Sequence, residues 1–218
     1  MNPAEKKVSY EISNTYSTLN DLTATTKNVW VVLHGIGYLS RYFLKYFKNL
    51  DPEDNYIIAP QAQSKYYLNN EYRHVGASWL TKENTEPEIE NVLNYLEEVY
   101  TAEALQNAPK LILFGYSQGV SAATRWVARN KVECSHLILH SGGLPKELEP
   151  EDFEFLTDTR VTLIYGTRDE YLNEERLKTE HARAKELFGD RLEIISFDGG
   201  HEVNTEILEK IAKTISSE

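Results

Sequence analysis

The sequence predicts an α/β fold in which a mostly parallel sheet carries helices on both faces. Three observations lead to this class. The chain has 218 residues, of which 41% are hydrophobic and 26% charged, as in ordinary globular domains. The continuous apolar run at residues 29–33 is typical of a strand that is buried on both faces. Strand-like and helix-like segments then alternate along the chain, as they do in βαβ units.

The predicted elements follow one another without a repeat, a low-complexity tract or a linker, so we expect one domain over residues 1–218. Short apolar runs that end at glycine, proline or polar residues predict strands at residues 28–34, 56–59, 110–114, 136–140, 160–165 and 192–197. Apolar residues at helical spacing predict helices at residues 41–50, 86–105, 117–129, 173–188 and 204–215. A loose alternation at residues 8–18 predicts an N-terminal antiparallel hairpin.

Two segments between these elements are candidates for a small cap or for pocket loops. Residues 61–82 form an aromatic-rich stretch with no regular pattern, and a segment of that length is more often functional than a plain connector. Residues 144–157 follow the strand that ends near Ser141 and contain two prolines and two phenylalanines. The alternative for both segments is that their aromatic side chains extend the core.

The formal net charge of −11 disfavours nucleic acid and anionic membrane surfaces as partners, because such a surface repels phosphate groups. Cys134 is the only cysteine, which indicates a reducing compartment. The polar start of the chain lacks a secretory signal pattern, and no apolar run reaches the roughly 18 to 20 residues of a membrane span. We therefore expect a cytoplasmic protein without membrane insertion; a homodimer is left open.

The segment Gly115-Tyr116-Ser117-Gln118-Gly119 carries the strongest chemical signal. It lies between a predicted buried strand and a predicted helix, which is the context of a nucleophile elbow. Glycines two residues before and after the serine are needed because side chains there would collide with the neighbouring strand and helix. The turn would raise the Ser117 hydroxyl above the sheet, so Ser117 is the candidate nucleophile.

A serine hydroxyl needs a base that takes its proton, and the base needs an acid that orients it. Asp169 follows the strand at 160–165, and His201 follows the last strand, so both lie where parallel strands place ligand sites. The order serine, acid, histidine is that of the α/β-hydrolase fold. Glu170 and Asp198 are competitors for the acid, but Asp198 is better placed to shape the turn before the histidine.

The turn at residues 34–37 is the candidate oxyanion turn. We expect the backbone N–H groups of Ile36 and Gln118 to form the oxyanion hole, with His34 as a structural residue beside it. The alternative interpretation of this glycine-containing turn is the start of a dinucleotide-binding fingerprint. Ser40, however, occupies the position of the third glycine in that fingerprint. No histidines or cysteines lie at metal-ligand spacing, so no metal site is expected.

Taken together, these motifs resemble the phospholipase/carboxylesterase family, whose members include acyl-protein thioesterases. The resemblance covers most of the chain and rests on these stretches: residues 32–37, 58–62, 115–119, 141–143, 165–169 and 200–201. Gly-Tyr-Ser-Gln-Gly is close to the family's usual Gly-Phe-Ser-Gln-Gly. Two positions depart from the family pattern, namely Tyr38, where an aspartate is usual two residues after the apolar residue of the oxyanion turn, and His140, where a small or apolar residue is usual.

The resemblance implies hydrolysis of carboxylic esters or thioesters of modest size without a cofactor. We therefore expect a carboxylesterase-like enzyme acting on a small-molecule ester, with Tyr38 and Trp79 lining the substrate pocket. Acyl thioesterase or lysophospholipase activity is the nearest alternative. A ligand-binding protein without catalytic activity, built on the same fold, is a further alternative, because a fold alone does not establish function.

Overall fold

The computed structural model describes residues 3–218, so the first two residues of the predicted domain lie outside the described residues. Nine strands occur in this part of the chain: β1 (Tyr16–Leu19), β2 (Asn28–Leu33), β3 (Asn55–Pro60), β4 (Ser64–Tyr67), β5 (Val75–Ser78), β6 (Leu111–Tyr116), β7 (His136–His140), β8 (Arg160–Gly166) and β9 (Leu192–Phe197). The α-helices of the same residues are α1 (Ser40–Phe43), α2 (Thr85–Ala102), α3 (Gln118–Asn130), α4 (Glu174–Phe188) and α5 (Thr205–Ser217).

Seven of the strands form one sheet in the order β1-β3-β2-β6-β7-β8-β9. All neighbouring pairs are parallel except β1 with β3. The central strands β2, β3, β6 and β7 are buried along their whole length, as the apolar runs of the sequence predict. The sequence thus predicted the positions of the six strands β2, β3, β6, β7, β8 and β9 and the parallel character of the sheet correctly.

Helices cover both faces of this sheet, because successive side chains of each strand point to opposite faces. Val29, Val31 and Leu33 of β2 belong to the core on the side of α2, α3 and α4. Trp30 and Val32 of the same strand belong to the opposite core, to which α1 and α5 contribute. This arrangement is the α/β-hydrolase fold that the sequence predicted.

Three local predictions need correction. The N-terminal hairpin at residues 8–18 is absent, because the one strand there, β1, pairs with β3 at the sheet edge instead of with a neighbouring strand. Residues 61–82 are not irregular, because β4 and β5 form a separate antiparallel hairpin. The helix at 41–50 is a short α1 that continues as a 3₁₀ turn over Leu44–Phe47.

No helix within residues 3–218 combines the length and the apolar character needed to cross a membrane.

Candidate active site

Ser117 lies in the turn between β6 and α3 with φ of 53° and ψ of −118°. A non-glycine residue with positive φ is strained, and such strain is stored where function requires a particular geometry. The flanking glycines make the turn possible: a Cβ on Gly115 would lie 2.6 Å from the Gly119 carbonyl oxygen, and one on Gly119 would overlap Leu33 O. The sequence motif therefore forms the sharp strand-to-helix turn that was predicted from it.

The structure brings Ser117, His201 and Asp169 into one hydrogen-bonded chain. The His201 Nε2 atom lies 2.9 Å from Ser117 Oγ, and His201 Nδ1 lies 2.7 Å from Asp169 Oδ2. Because an ionised carboxylate only accepts, Nδ1–H donates to Asp169 and leaves Nε2 as the acceptor for the serine proton. The Asp169 side chain is fully buried, and its second oxygen accepts the N–H of Tyr171 at 2.8 Å.

Neither competitor for the acid contacts the histidine in the described part of the chain. Asp198 forms an exposed ion pair with Arg168 at 2.9 Å, and its side chain is 79% exposed. Glu170 lies at the wall of the cavity in front of Ser117 without a hydrogen bond to His201. The geometry therefore favours Asp169 over both alternatives.

Three residues that the sequence reasoning missed hold the His201 loop in place. Tyr116 Oη donates to the His201 carbonyl oxygen at 2.8 Å, and its ring stacks beside the imidazole with 5.3 Å between centroids. Tyr171 also packs edge-on against that imidazole, with 4.8 Å between ring centroids. The His140 Nε2 atom accepts the N–H of Asn204, three residues after His201, at 3.2 Å. The sequence analysis marked His140 only as a departure from the family pattern and Tyr116 only as part of the motif around Ser117.

Burial controls the charge of His140 and of His34. Both side chains are inaccessible to solvent, and this burial lowers the pKa of His140 to about 3 and that of His34 to about 4. His34 is therefore neutral, accepting the Ala62 N–H at Nε2 over 3.1 Å and lying 2.8 Å from Gly35 O through Nδ1. Its role is to fix the turn that contains Ile36, as predicted for a structural residue.

Ile36 and Gln118, the two candidate oxyanion donors, both border the cavity beside Ser117. Neither backbone N–H has a protein acceptor within residues 3–218. The turn around Ile36 is held by β5, since Gly37 N–H donates to Ala77 O at 2.9 Å and Ala77 N–H donates to Tyr38 O at 3.1 Å. A free pair of backbone donors beside the serine is the arrangement an oxyanion requires.

Trp79 corrects one prediction, because it does not line the substrate cavity. Its side chain is fully buried, and its indole N–H donates to the His34 carbonyl oxygen at 2.7 Å. The Gln118 side chain holds the same segment: Oε1 accepts the Trp79 N–H at 2.8 Å, and Nε2 donates to Leu80 O at 2.6 Å. The segment from Ser78 to Leu80, which we call the oxyanion strap, therefore connects the two turns that carry the donors.

A cavity of about 1000 Å³ opens in front of Ser117. Tyr38, the second predicted pocket residue, forms part of its wall. Another part of its lining is charged and includes Lys146 with Glu175 and Arg176 from the first turn of α4. The arrangement leaves room for a small polar molecule next to the serine hydroxyl.

Only the start of the 144–157 segment faces this cavity, through residues 144–146. The apolar side chains of the rest pack inward: Phe153 is fully buried and contacts Phe188 edge-on with 4.9 Å between ring centroids. The Leu144 N–H also donates to Glu180 Oε2 of α4 at 2.9 Å. Aromatic residues of this segment thus extend the core, which was the alternative considered for it.

Metal-ligating side chains do not gather anywhere in residues 3–218, where no group of three histidine, cysteine or acidic residues could hold an ion. Cys134 is buried away from the site, and burial raises the pKa of its thiol to about 12.

Fold and site together define an α/β-hydrolase with a serine at the elbow and a histidine and an aspartate within hydrogen-bonding distance. A model of the Phospholipase/Carboxylesterase family matches residues 15–218, and the chain belongs to this family, which is a family of ester hydrolases. No curated protein sequence matches the chain closely.

Solved structures share the fold at low sequence identity. Acyl-protein thioesterase 2 of Zea mays superposes with a TM-score of 0.70 at 17% identity, covering 94% of this chain and 99% of the other. A phospholipase/carboxylesterase of Dyadobacter fermentans gives 0.69 at 20% identity, with 94% and 98% covered. The Bacillus cereus carboxylesterase gives 0.66 at 17% identity, with 94% of each chain covered. At these identities the likeness concerns the fold.

Proposed function

We propose that the chain is a serine hydrolase that cleaves small carboxylic esters through an acyl-serine intermediate. The observation that carries this proposal is the hydrogen-bonded chain from Ser117 Oγ through His201 to the buried Asp169. Membership of an ester-hydrolase family supports the same reaction class. The domain is proposed to act as one unit over residues 1–218, with residues 144–146 as a fixed wall of the pocket.

The proposed reaction begins when His201 Nε2 takes the Ser117 proton as Oγ bonds to the ester carbonyl carbon. The carbonyl oxygen becomes an oxyanion and accepts hydrogen bonds from the Ile36 and Gln118 N–H groups. Asp169 keeps the imidazole in the required tautomer and stabilises its charged form. The tetrahedral intermediate then collapses, the C–O bond of the ester breaks, and the leaving alkoxide takes the proton from His201.

The second half of the reaction repeats these steps with water in place of serine. Water gives a proton to His201 as it attacks the acyl carbon, and the acyl–Oγ bond breaks as His201 returns the proton to Ser117. The charged part of the cavity lining supports short, polar substrates, since long acyl chains would desolvate Lys146 and Glu175 without a compensating partner. Lysophospholipid cleavage is therefore the weaker candidate.

Thioester hydrolysis is the second candidate, favoured by the structural likeness to an acyl-protein thioesterase. The same residues would carry it, because only the leaving atom changes. Turnover of matched acetate oxygen and thio esters that share one alcohol skeleton separates the two activities. A higher kcat/KM for the oxygen ester supports the carboxylesterase proposal, whereas a large excess for the thioester favours the alternative.

The primary test is intact-mass analysis after treatment with a fluorophosphonate probe. We expect one adduct on the wild type, none on Ser117→Ala, and labelling slowed on the order of a thousandfold in His201→Ala. Ser121→Ala is the matched control, because Ser121 borders the same cavity yet binds Arg125. That control should label like the wild type. A folded wild type without an adduct would refute the proposal and favour a ligand-binding protein.

A further inference from the structure

A second cavity, of about 300 Å³, lies next to the catalytic one and shares Tyr38 with it. One side of this cavity is formed by Arg41 and Tyr42 of α1, and the other by Leu68 and Arg73 of the loop between β4 and β5. Tyr38 borders both spaces, which places the second cavity beside the one that opens in front of Ser117.

The two arginines of this cavity differ from the other arginines of the chain. Neither Arg41 nor Arg73 has a carboxylate within 4 Å in the part of the chain that the structure describes, and the Arg41 guanidinium lies 4.7 Å from the centre of the Tyr42 ring. Arg191 donates to backbone carbonyl oxygens. The remaining arginines each have a carboxylate partner: Arg125, Arg129, Arg160, Arg168, Arg176 and Arg183.

The lining of the second cavity also lacks acidic residues and includes His74 as a third basic side chain. This local charge stands out in a protein whose formal net charge is −11. The lining of the catalytic cavity carries charges of both signs instead: Glu170, Glu175, Glu180, Lys146 and Arg176. A substrate that spans both cavities would therefore meet only basic side chains in the second cavity and charges of both signs in the first.

We propose that the second cavity binds an oxyanion group, a carboxylate or a phosphate, carried by the ester substrate. This inference rests on the proposed function and narrows its substrate class to esters with an anionic group beyond Tyr38. Guanidinium groups suit this task because their planar donors match the oxygens of carboxylate and phosphate. Arg41 and Arg73 are then specificity-determining residues, while the reaction at Ser117 is unchanged.

The test compares acetate esters that differ only in the end of the alcohol. Neutral n-alkyl acetates of two to six carbons are matched with the same acetates carrying a terminal carboxylate or a terminal phosphate. For the best anionic ester we expect a kcat/KM about tenfold above that of its neutral match, expressed in KM, since exposed charge pairs of this kind contribute modestly. The advantage should shrink as salt is raised. The anion with the larger advantage identifies the group that binds.

Arg41→Gln combined with Arg73→Gln should abolish this advantage and leave the neutral esters unchanged. Lys45→Gln is the matched control, because Lys45 is an exposed cation one helical turn from Arg41 that lines neither cavity. Equal rates for anionic and neutral esters in the wild type would overturn the inference, and so would an equal loss in Lys45→Gln. Loss of all turnover in Ser117→Ala, measured beside these variants, shows separately that the proposed function holds.

Discussion

The loops that carry the catalytic residues and the walls that face the substrate are built differently. The loop of the proposed base His201 is held by hydrogen bonds to two buried side chains, a tyrosine and a histidine. The turn that carries Ile36 is held by the buried indole of Trp79. The walls instead include exposed charged side chains, such as Lys146 and Arg73. Packing and hydrogen bonds fix the conformation of these loops, which we call the pinned region. Charged side chains in the walls can instead be substituted at little cost in folding stability.

This difference indicates how one fold serves many substrates. Transition-state stabilisation depends on donors held at fixed positions, so a displacement of about 1 Å can cost a large factor in rate. Binding of a flexible polar substrate depends on charges whose individual contributions are small. Substitutions in the pinned region should therefore act on kcat or on folding, whereas those in the walls should act on KM.

The largest expected effect comes from Asp169→Asn. An amide in place of the carboxylate leaves the packing intact but stabilises the wrong imidazole tautomer, so kcat should fall on the order of ten-thousandfold. Steady-state rates on a small acetate ester measure this. Asp198→Asn is the control, because it removes a carboxylate from the same neighbourhood that pairs only with exposed Arg168. Comparable losses in both variants would contradict the assignment of Asp169.

The sequence predicted the pinned region better than the walls, for a physical reason. Strand β6 could be predicted because a buried strand has a continuous apolar run. The position of Ser117 could be predicted because the nucleophile elbow requires glycines at fixed spacing. Strand β4 was missed because all four of its residues are exposed and carry no alternation. The direction of the Trp79 side chain could not be predicted either, because it is set by a hydrogen bond to the carbonyl oxygen of His34, which is distant in the sequence.

His140 provides an intermediate test that acts on stability. The unfolded histidine has a pKa near 6.5 and the folded one a pKa of about 3, so between these values only the unfolded chain binds the proton. Stability is thus fully present above pH 6.5 and decreases as the pH falls toward 3. For this residue the loss between pH 7 and pH 5 is about 2 kcal/mol.

His140→Gln should remove that share of the pH dependence, because an amide can still accept the Asn204 N–H without titrating. Urea unfolding at pH 7 and pH 5 measures the difference for both proteins. The wild type should lose about 2 kcal/mol more than the variant, while the share that the buried His34 contributes remains in each. Equal losses would show that His140 is not held neutral by its surroundings.

Trp79→Phe tests the oxyanion strap and has the smallest expected effect of the three. Phenylalanine keeps most of the buried ring but removes the indole N–H that donates to the His34 carbonyl oxygen. The turn that carries the Ile36 N–H then loses one hydrogen bond that holds it in place. We therefore expect kcat to fall about tenfold, which is less than the fall caused by removing an oxyanion donor itself. KM for a neutral ester should stay constant, and affinity for a trifluoromethyl ketone should fall in parallel with kcat.

Trp126→Phe separates this positioning effect from a general loss of packing. Trp126 is equally buried and also donates its indole N–H, in this case to Glu97 Oε1 at 2.7 Å, on a side of α3 that does not border the catalytic cavity. Both variants should lose similar melting temperature, because each loses one buried hydrogen bond. Only Trp79→Phe should lower the affinity for the trifluoromethyl ketone, because that molecule occupies the oxyanion hole as a tetrahedral adduct. If the affinity for the ketone falls equally in both variants, the oxyanion strap acts only through the stability of the fold. In that case the strap does not position the Ile36 N–H, and the pinned region and the walls differ less than we infer.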